Sequence, residues 1–125
     1  MLKRLLGIAA IVWTLLITVL CLTSGDAFSS LATFKIPHKD KYVHFFFYFV
    51  FTFLWYAYSV KHIKVSRKKA RMIIFITALS YGIVIEILQE LIAHKRSADV
   101  MDALANTLGS ITAILIVWLF EKNKK

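Results

Sequence analysis

Four apolar runs divide the chain. Leu5 to Leu22 is uncharged and follows Lys3 and Arg4, and Tyr42 to Val60 is dense in aromatics, with His44 and Tyr48 as polar exceptions near its beginning. Met72 to Ala93 is clean as far as Ile85 and acidic beyond it, whereas Val100 to Phe120 is clean after Asp102 except for Asn106. About 20 apolar residues in a helix cross the hydrocarbon of a bilayer, and helices that are apolar all round face lipid or a bundle interior. The pattern predicts an all-α, four-helix transmembrane bundle, with spans at approximately 5–23, 42–60, 72–93 and 100–120. All four belong to one domain covering residues 1–125.

The polar segments between the runs orient them. Ser24 to Asp40 contains Gly25, paired serines and Pro37 and is too hydrophilic to span. Lys61 to Arg71 is the strongest basic cluster, His94 to Asp99 is a short polar turn, and Glu121 to Lys125 is a basic tail. The start of the chain also looks like a signal peptide, but its apolar stretch exceeds a usual signal core and no small-x-small cleavage site follows closely. Leu20 before Cys21 is neither small nor flexible, which argues against a lipoprotein anchor, so an uncleaved first span is expected. Eleven of the 16 lysines and arginines fall in the N-terminus, the middle loop and the tail. The positive-inside rule therefore predicts both termini and the middle loop in the cytoplasm, with the other two loops outside.

Composition agrees with this assignment and narrows it. The 125 residues are 59% hydrophobic with one proline and four glycines, and the mean hydropathy is +0.70, values that exclude a soluble domain of this size. A single cysteine excludes an intrachain disulfide. The net charge of +9 is distributed between apolar runs and not along one soluble face. It sets topology and predicts the lipid bilayer, not nucleic acid, as the partner.

That topology brings the polar exceptions to one depth. His44 and Tyr48 lie in the outer part of the second span, Glu86, Gln89 and Glu90 in the outer third of the third, and Asp99, Asp102 and Asn106 in the first two turns of the fourth. Glu86 is separated from Met72 by about 21 Å of helix, so in a core of about 30 Å it sits roughly 9 Å below the outer edge. A carboxylate there costs about 2.5–3.5 kcal/mol on insertion scales unless it faces the bundle or water. The spacings i, i+3, i+4 and i+7 put each set on one side of its helix. Three stripes at matching depth predict a shared outward-facing cleft, with Gly82 and Gly109 allowing close backbone approach.

Plainer roles exist for several of these groups. Asp99 fits the N-cap of the fourth helix and Asp102 its dipole. Glu90 fits the headgroup region or an ion pair with Lys95 or Arg96, and Arg96 also suits a lipid phosphate. Asn106 fits interhelical glue and Tyr48 an interface anchor. His38, His62 and His94 fit solvated positions. Asp102 and Asn106 lie deeper than Asp99, so capping explains them less well, and His44, Glu86 and Asp102 together are the strongest functional candidates.

The motif DKYVHFFFY (residues 40–48), followed by Gly82, Glu86 and Gln89, then Arg96, Asp99, Asp102, Asn106 and Gly109, resembles the VanZ-like family. These are small bacterial membrane proteins related to an accessory factor in teicoplanin (glycopeptide) resistance. The pattern covers about residues 40 to 110. One departure is Ala113, where the family usually shows a second glycine. The resemblance implies a multi-pass protein of the bacterial cytoplasmic membrane with a link to the cell envelope and antibiotic resistance; it implies no established reaction.

Two functions of different class follow. In the first, the cleft binds a lipid-linked cell-wall precursor or an anionic lipid in an accessory role, using Asp40, Lys41, Tyr48, Gln89, Arg96, Asp99 and Asn106. In the second, a membrane enzyme acts on a lipid or lipid-linked intermediate, with His44, Glu86 and Asp102 as its catalytic acid–base groups. No serine or cysteine nucleophile motif is present, and the binding role is favoured. No cofactor is expected; a divalent metal held by His44, Glu86 and Asp102 is a weaker alternative, because one histidine with two hard carboxylates is a sparse metal signature.

Overall fold

The computed structural model describes residues 1–22, 39–92 and 100–123. These form four helices, α1 (Leu2–Leu22), α2 (Lys39–His62), α3 (Arg67–Ile92) and α4 (Val100–Asn123), with no strand among the described residues. Each helix is long and apolar enough to cross a membrane. The expected four apolar helices are therefore present.

Three helices begin before their apolar runs, α1 among them at Leu2. α2 starts at Lys39 and α3 at Arg67, because backbone hydrogen bonds continue through Lys and Arg, which are good helix formers, while the apolar run marks only the part suited to lipid. Ser66 starts α3 as an N-cap, its Oγ accepting from the Lys69 N–H at 3.2 Å.

The helices alternate in direction. Gly7 near the start of α1 lies against the Tyr58 ring near the end of α2, and Arg71 near the start of α3 pairs with Glu121 near the end of α4. At the other end, Gln89 of α3 reaches the Cys21 carbonyl of α1, and His44 of α2 meets Asp102 of α4. Both termini therefore share one end of the bundle with the basic segment between α2 and α3.

Helices in lipid gain little from burying apolar surface against each other, so close packing and hydrogen bonds must hold them. α2 and α4 share the most extensive interface. α4 turns a face of small and polar residues to it, with Ala105, Asn106, Gly109, Ser110 and Ala113 all buried. At Gly109 even a methyl group would collide with the Phe45 carbonyl of α2, and it would stand 3.1 Å from the Phe49 nitrogen. Ala113 is fully buried, so this interface accommodates a methyl one turn beyond Gly109. Gly82 differs from expectation. A Cβ there would meet the side chains of Asn106 and Tyr48 at 3.4 Å, so its missing side chain leaves room for two polar side chains and not for a neighbouring backbone.

α1 docks through hydrogen bonds. The Trp13 indole donates to the Phe47 carbonyl (2.9 Å) and the Trp55 indole donates to Thr14 Oγ1 (2.9 Å). The Tyr81 hydroxyl donates to the Thr14 carbonyl (3.1 Å) and also meets the Thr18 hydroxyl. The buried cluster beneath combines Ile17, Cys21, Phe47, Tyr48, Phe51, Ala78 and Ile85. Outward, Leu15, Phe46, Ile76, Ile87, Leu108 and Leu115 are exposed, an apolar exterior suited to acyl chains.

Candidate functional site

Three helices each deliver one ionisable group to one point. His44 comes from the second turn of α2, Glu86 from the last third of α3 and Asp102 from the first turn of α4. One ligand atom from each lies within 4.8 Å of the other two. All three side chains are buried: His44 is 0% exposed, Glu86 6% and Asp102 3%. Antiparallel packing produces this meeting, because an early residue of α2 or α4 lies level with a late residue of α3.

Neighbouring groups hold His44 and Asp102 in orientation. The His44 Nδ1–H donates to Asn106 Oδ1 at 2.9 Å; an amide oxygen only accepts, so Nδ1 carries a proton and Nε2 is turned to the cluster. That Nε2 stands 3.7 Å from Asp102 Oδ2, and Lys41 Nζ holds the other Asp102 oxygen at 2.9 Å. Lys41 is partly exposed (21%) and Asp102 nearly buried (4%) at the side chain, so this ion pair lies at the rim of the cluster.

Below them is a second polar layer. Tyr48 lies one turn along α2 from His44, fully buried and within electrostatic reach of Glu86. Its hydroxyl and Asn106 Nδ2 are both buried without a hydrogen-bond partner among the described residues. Both side chains border the space at Gly82, one turn before Glu86.

The sequence candidates separate into three groups. His44, Glu86 and Asp102 meet, with Lys41, Tyr48 and Asn106 around them. Gln89 is buried (1% exposed) on the same helix, but its amide donates to the Cys21 carbonyl at 2.7 Å, satisfying a carbonyl in the last turn of α1. Glu90 is exposed. Arg96 and Asp99 lie outside the described residues, as do His38, His94 and Lys95, and so does the side chain of Asp40.

Polar contacts elsewhere in the bundle were not singled out from sequence. Thr52 donates to Ser110 at 2.9 Å within the α2–α4 interface, and Thr14 and Thr18 anchor α1. A signal for the second set exists in the spacing of Thr14 and Thr18, an i, i+4 pair of hydroxyls on an otherwise apolar helix.

The family model described as VanZ/LLP1 matches residues 8–121, nearly the whole chain. No curated protein and no solved structure matches it.

Proposed function

Because this chain belongs to the VanZ/LLP1 family and carries four helices apolar enough to cross a membrane, we propose that it is a binding or accessory protein of the bacterial cytoplasmic membrane. It acts in cell-envelope biology, of the kind that underlies glycopeptide (teicoplanin-type) resistance. The bound group is the polar head of a membrane amphiphile, a lipid-linked cell-wall precursor or an anionic lipid, received in a cleft that opens to the outer leaflet. Both termini are cytoplasmic, since they share an end of the bundle with most of the basic residues.

The observation that carries this is the meeting of buried His44, Glu86 and Asp102 from three helices within 4.8 Å. Each carboxylate costs about 2.5–3.5 kcal/mol to insert at mid-membrane on biological scales. Fastening helices does not require that cost; Thr52 and Ser110 do so with two hydroxyls. Lys41 at the rim, with Tyr48 and Asn106 below, supplies further polar groups for a head group. Asp40, Arg96 and Asp99 belong to the same proposed surface.

A membrane enzyme is the second reading, and one observation favours it. With Nδ1 engaged by Asn106, His44 turns Nε2 toward Asp102 at 3.7 Å, an arrangement suited to acid–base proton transfer.

Mass spectrometry of lipids co-purifying with wild type and Glu86→Gln tests the binding role. A phosphate-bearing lipid enriched in wild type over the bulk membrane is expected, and a wild-type profile no different from the bulk membrane would remove the reading. Glu86→Gln and His44→Asn together separate the two classes, because both substitutions keep size and hydrogen bonding but abolish acid–base capacity. Drug resistance and lipid binding retained in both variants would sink the enzyme.

A further inference from the structure

We infer that His44, Glu86 and Asp102 form a binding site for one divalent transition-metal ion of the zinc or manganese type. The ligand set is a neutral imidazole nitrogen and two carboxylates, one from each of three helices, with their ligating atoms within 4.8 Å of one another. The imidazole favours zinc or another late first-row ion and makes calcium and magnesium poorer fits, while the carboxylates bring manganese into range.

Geometry distinguishes an ion from a proton at this point. A proton shared between His44 Nε2 and Asp102 would draw the pair to about 2.7–2.9 Å, the length of a charge-assisted hydrogen bond. The atoms stand 3.7 Å apart. That separation is bridged by an ion with two bonds of about 2.0–2.2 Å meeting at an open angle.

The surrounding groups have the form that metal sites use. Metal-bound histidines almost always give their other N–H to an acceptor, which fixes the tautomer and aims the lone pair. Asn106 Oδ1 accepts that proton from His44 at 2.9 Å. Lys41 holds one oxygen of Asp102 and leaves the other facing His44. Independently of the three ligands, the Tyr48 hydroxyl and Asn106 Nδ2 are buried beside Gly82, one turn from Glu86, without a hydrogen-bond partner among the described residues. These are groups that ligand or metal-bound water oxygens would satisfy.

The ion also changes what the site attracts, and this consequence rests on the head-group reading above. With Lys41 the cluster carries one formal negative charge, the wrong sign for a phosphate. Two added positive charges reverse it, and open positions on the ion then accept phosphate oxygens of a lipid head.

The full chain, purified in detergent and stripped with a chelator, is loaded with Zn²⁺ alone or Mn²⁺ alone, desalted, and assayed for metal by inductively coupled plasma mass spectrometry. About one ion per chain is expected for wild type and for Glu90→Gln, whose side chain is exposed. Asp102→Asn and His44→Gln should each weaken binding at least tenfold, and Asn106→Ala by about 10–100-fold through the lost orientation of His44. Less than about a tenth of an ion per wild-type chain with both metals overturns the site, as does full loading of an Asp102→Asn, His44→Gln double variant. X-ray absorption at the zinc edge of wild type needs no variant: one imidazole among oxygen ligands is expected, and an all-water or thiolate shell overturns the assignment. Lipid retention by stripped and reloaded protein separates the two proposals. Metal bound without any lipid enrichment defeats the head-group reading and leaves the metal site standing. Equal phosphate-lipid retention before and after stripping, with no metal taken up on loading, does the reverse.

Discussion

Replacing Gly109 by alanine tests whether α2 and α4 are as closely apposed as described, and whether that apposition positions the site. The added methyl would stand 3.0 Å from the Phe45 carbonyl carbon and 3.1 Å from the Phe49 nitrogen, and nearer still to the Phe45 oxygen. Those are backbone atoms that cannot rotate away. Comfortable contact needs about 3.5–4.0 Å, so α4 must withdraw by roughly 1 Å. Two interhelical bonds flank the glycine, His44 to Asn106 and Thr52 to Ser110, each 2.9 Å long. The withdrawal stretches both past hydrogen-bonding distance. In membranes such bonds contribute about 0.6 kcal/mol each on average, and overpacking adds about 1–3 kcal/mol. Alanine returns at most about 1 kcal/mol of helix propensity. The net expectation is destabilisation by about 1–3 kcal/mol, read from unfolding by a denaturing detergent titrated into mixed micelles. Leu115→Ala, on the exposed face, serves as a control of similar chemistry and should be nearly neutral. The His44 ring ¹⁵N resonances of the variant should shift as the Asn106 bond lengthens. A Gly109→Ala protein as stable as wild type, with unchanged His44 resonances, would refute the close approach and the coupling to the site together.

Three further expectations follow from other contacts. Gln89→Leu leaves the Cys21 carbonyl without its donor and should destabilise the protein by about 1–2 kcal/mol, measured by the same titration; unchanged stability with lost lipid retention would instead assign Gln89 to ligand binding. Tyr81→Phe removes a hydroxyl that ties α1 through Thr14 and Thr18 and should cost about 0.6–1.7 kcal/mol, with faster proteolysis near the N-terminus; proteolysis at the wild-type rate would show that the indoles of Trp13 and Trp55 suffice. A reporter fused after Lys125 should be active only when it is a cytoplasmic type, and activity of a periplasmic reporter there would invert the proposed orientation.

Much of the site could be read before folding because membrane burial makes ionisable residues conspicuous. His44, Glu86 and Asp102 stand out in runs where almost every other residue is apolar, and an alternating topology leaves few ways to arrange them. Their depth follows from counting 1.5 Å per residue along helices whose ends the charges mark. The same counting misjudges rotation about the helix axis. Gln89 shares a stripe with Glu86, yet its amide reaches Cys21 on α1. Gly82 and Gly109 look equivalent in sequence, yet one borders side chains and the other a backbone.

From its sequence alone, the protein was committed to four apolar helices, to an alternation that brings one turn of α2, α3 and α4 to the same level, and to the residues that would meet there. Those properties depend on the spacing of apolar and charged residues along one chain, which sets where each helix enters and leaves lipid. Tertiary structure decided which atoms face each other: the Asn106 oxygen toward His44 Nδ1, Lys41 on one oxygen of Asp102, and the two hydroxyl threonines of α1 turned toward Tyr81 and Trp55. These contacts depend on how far each helix is turned about its own axis and how closely it crosses its neighbour. Residue spacing leaves that rotation open, and packing at Gly109, Ala113 and Gly7 closes it.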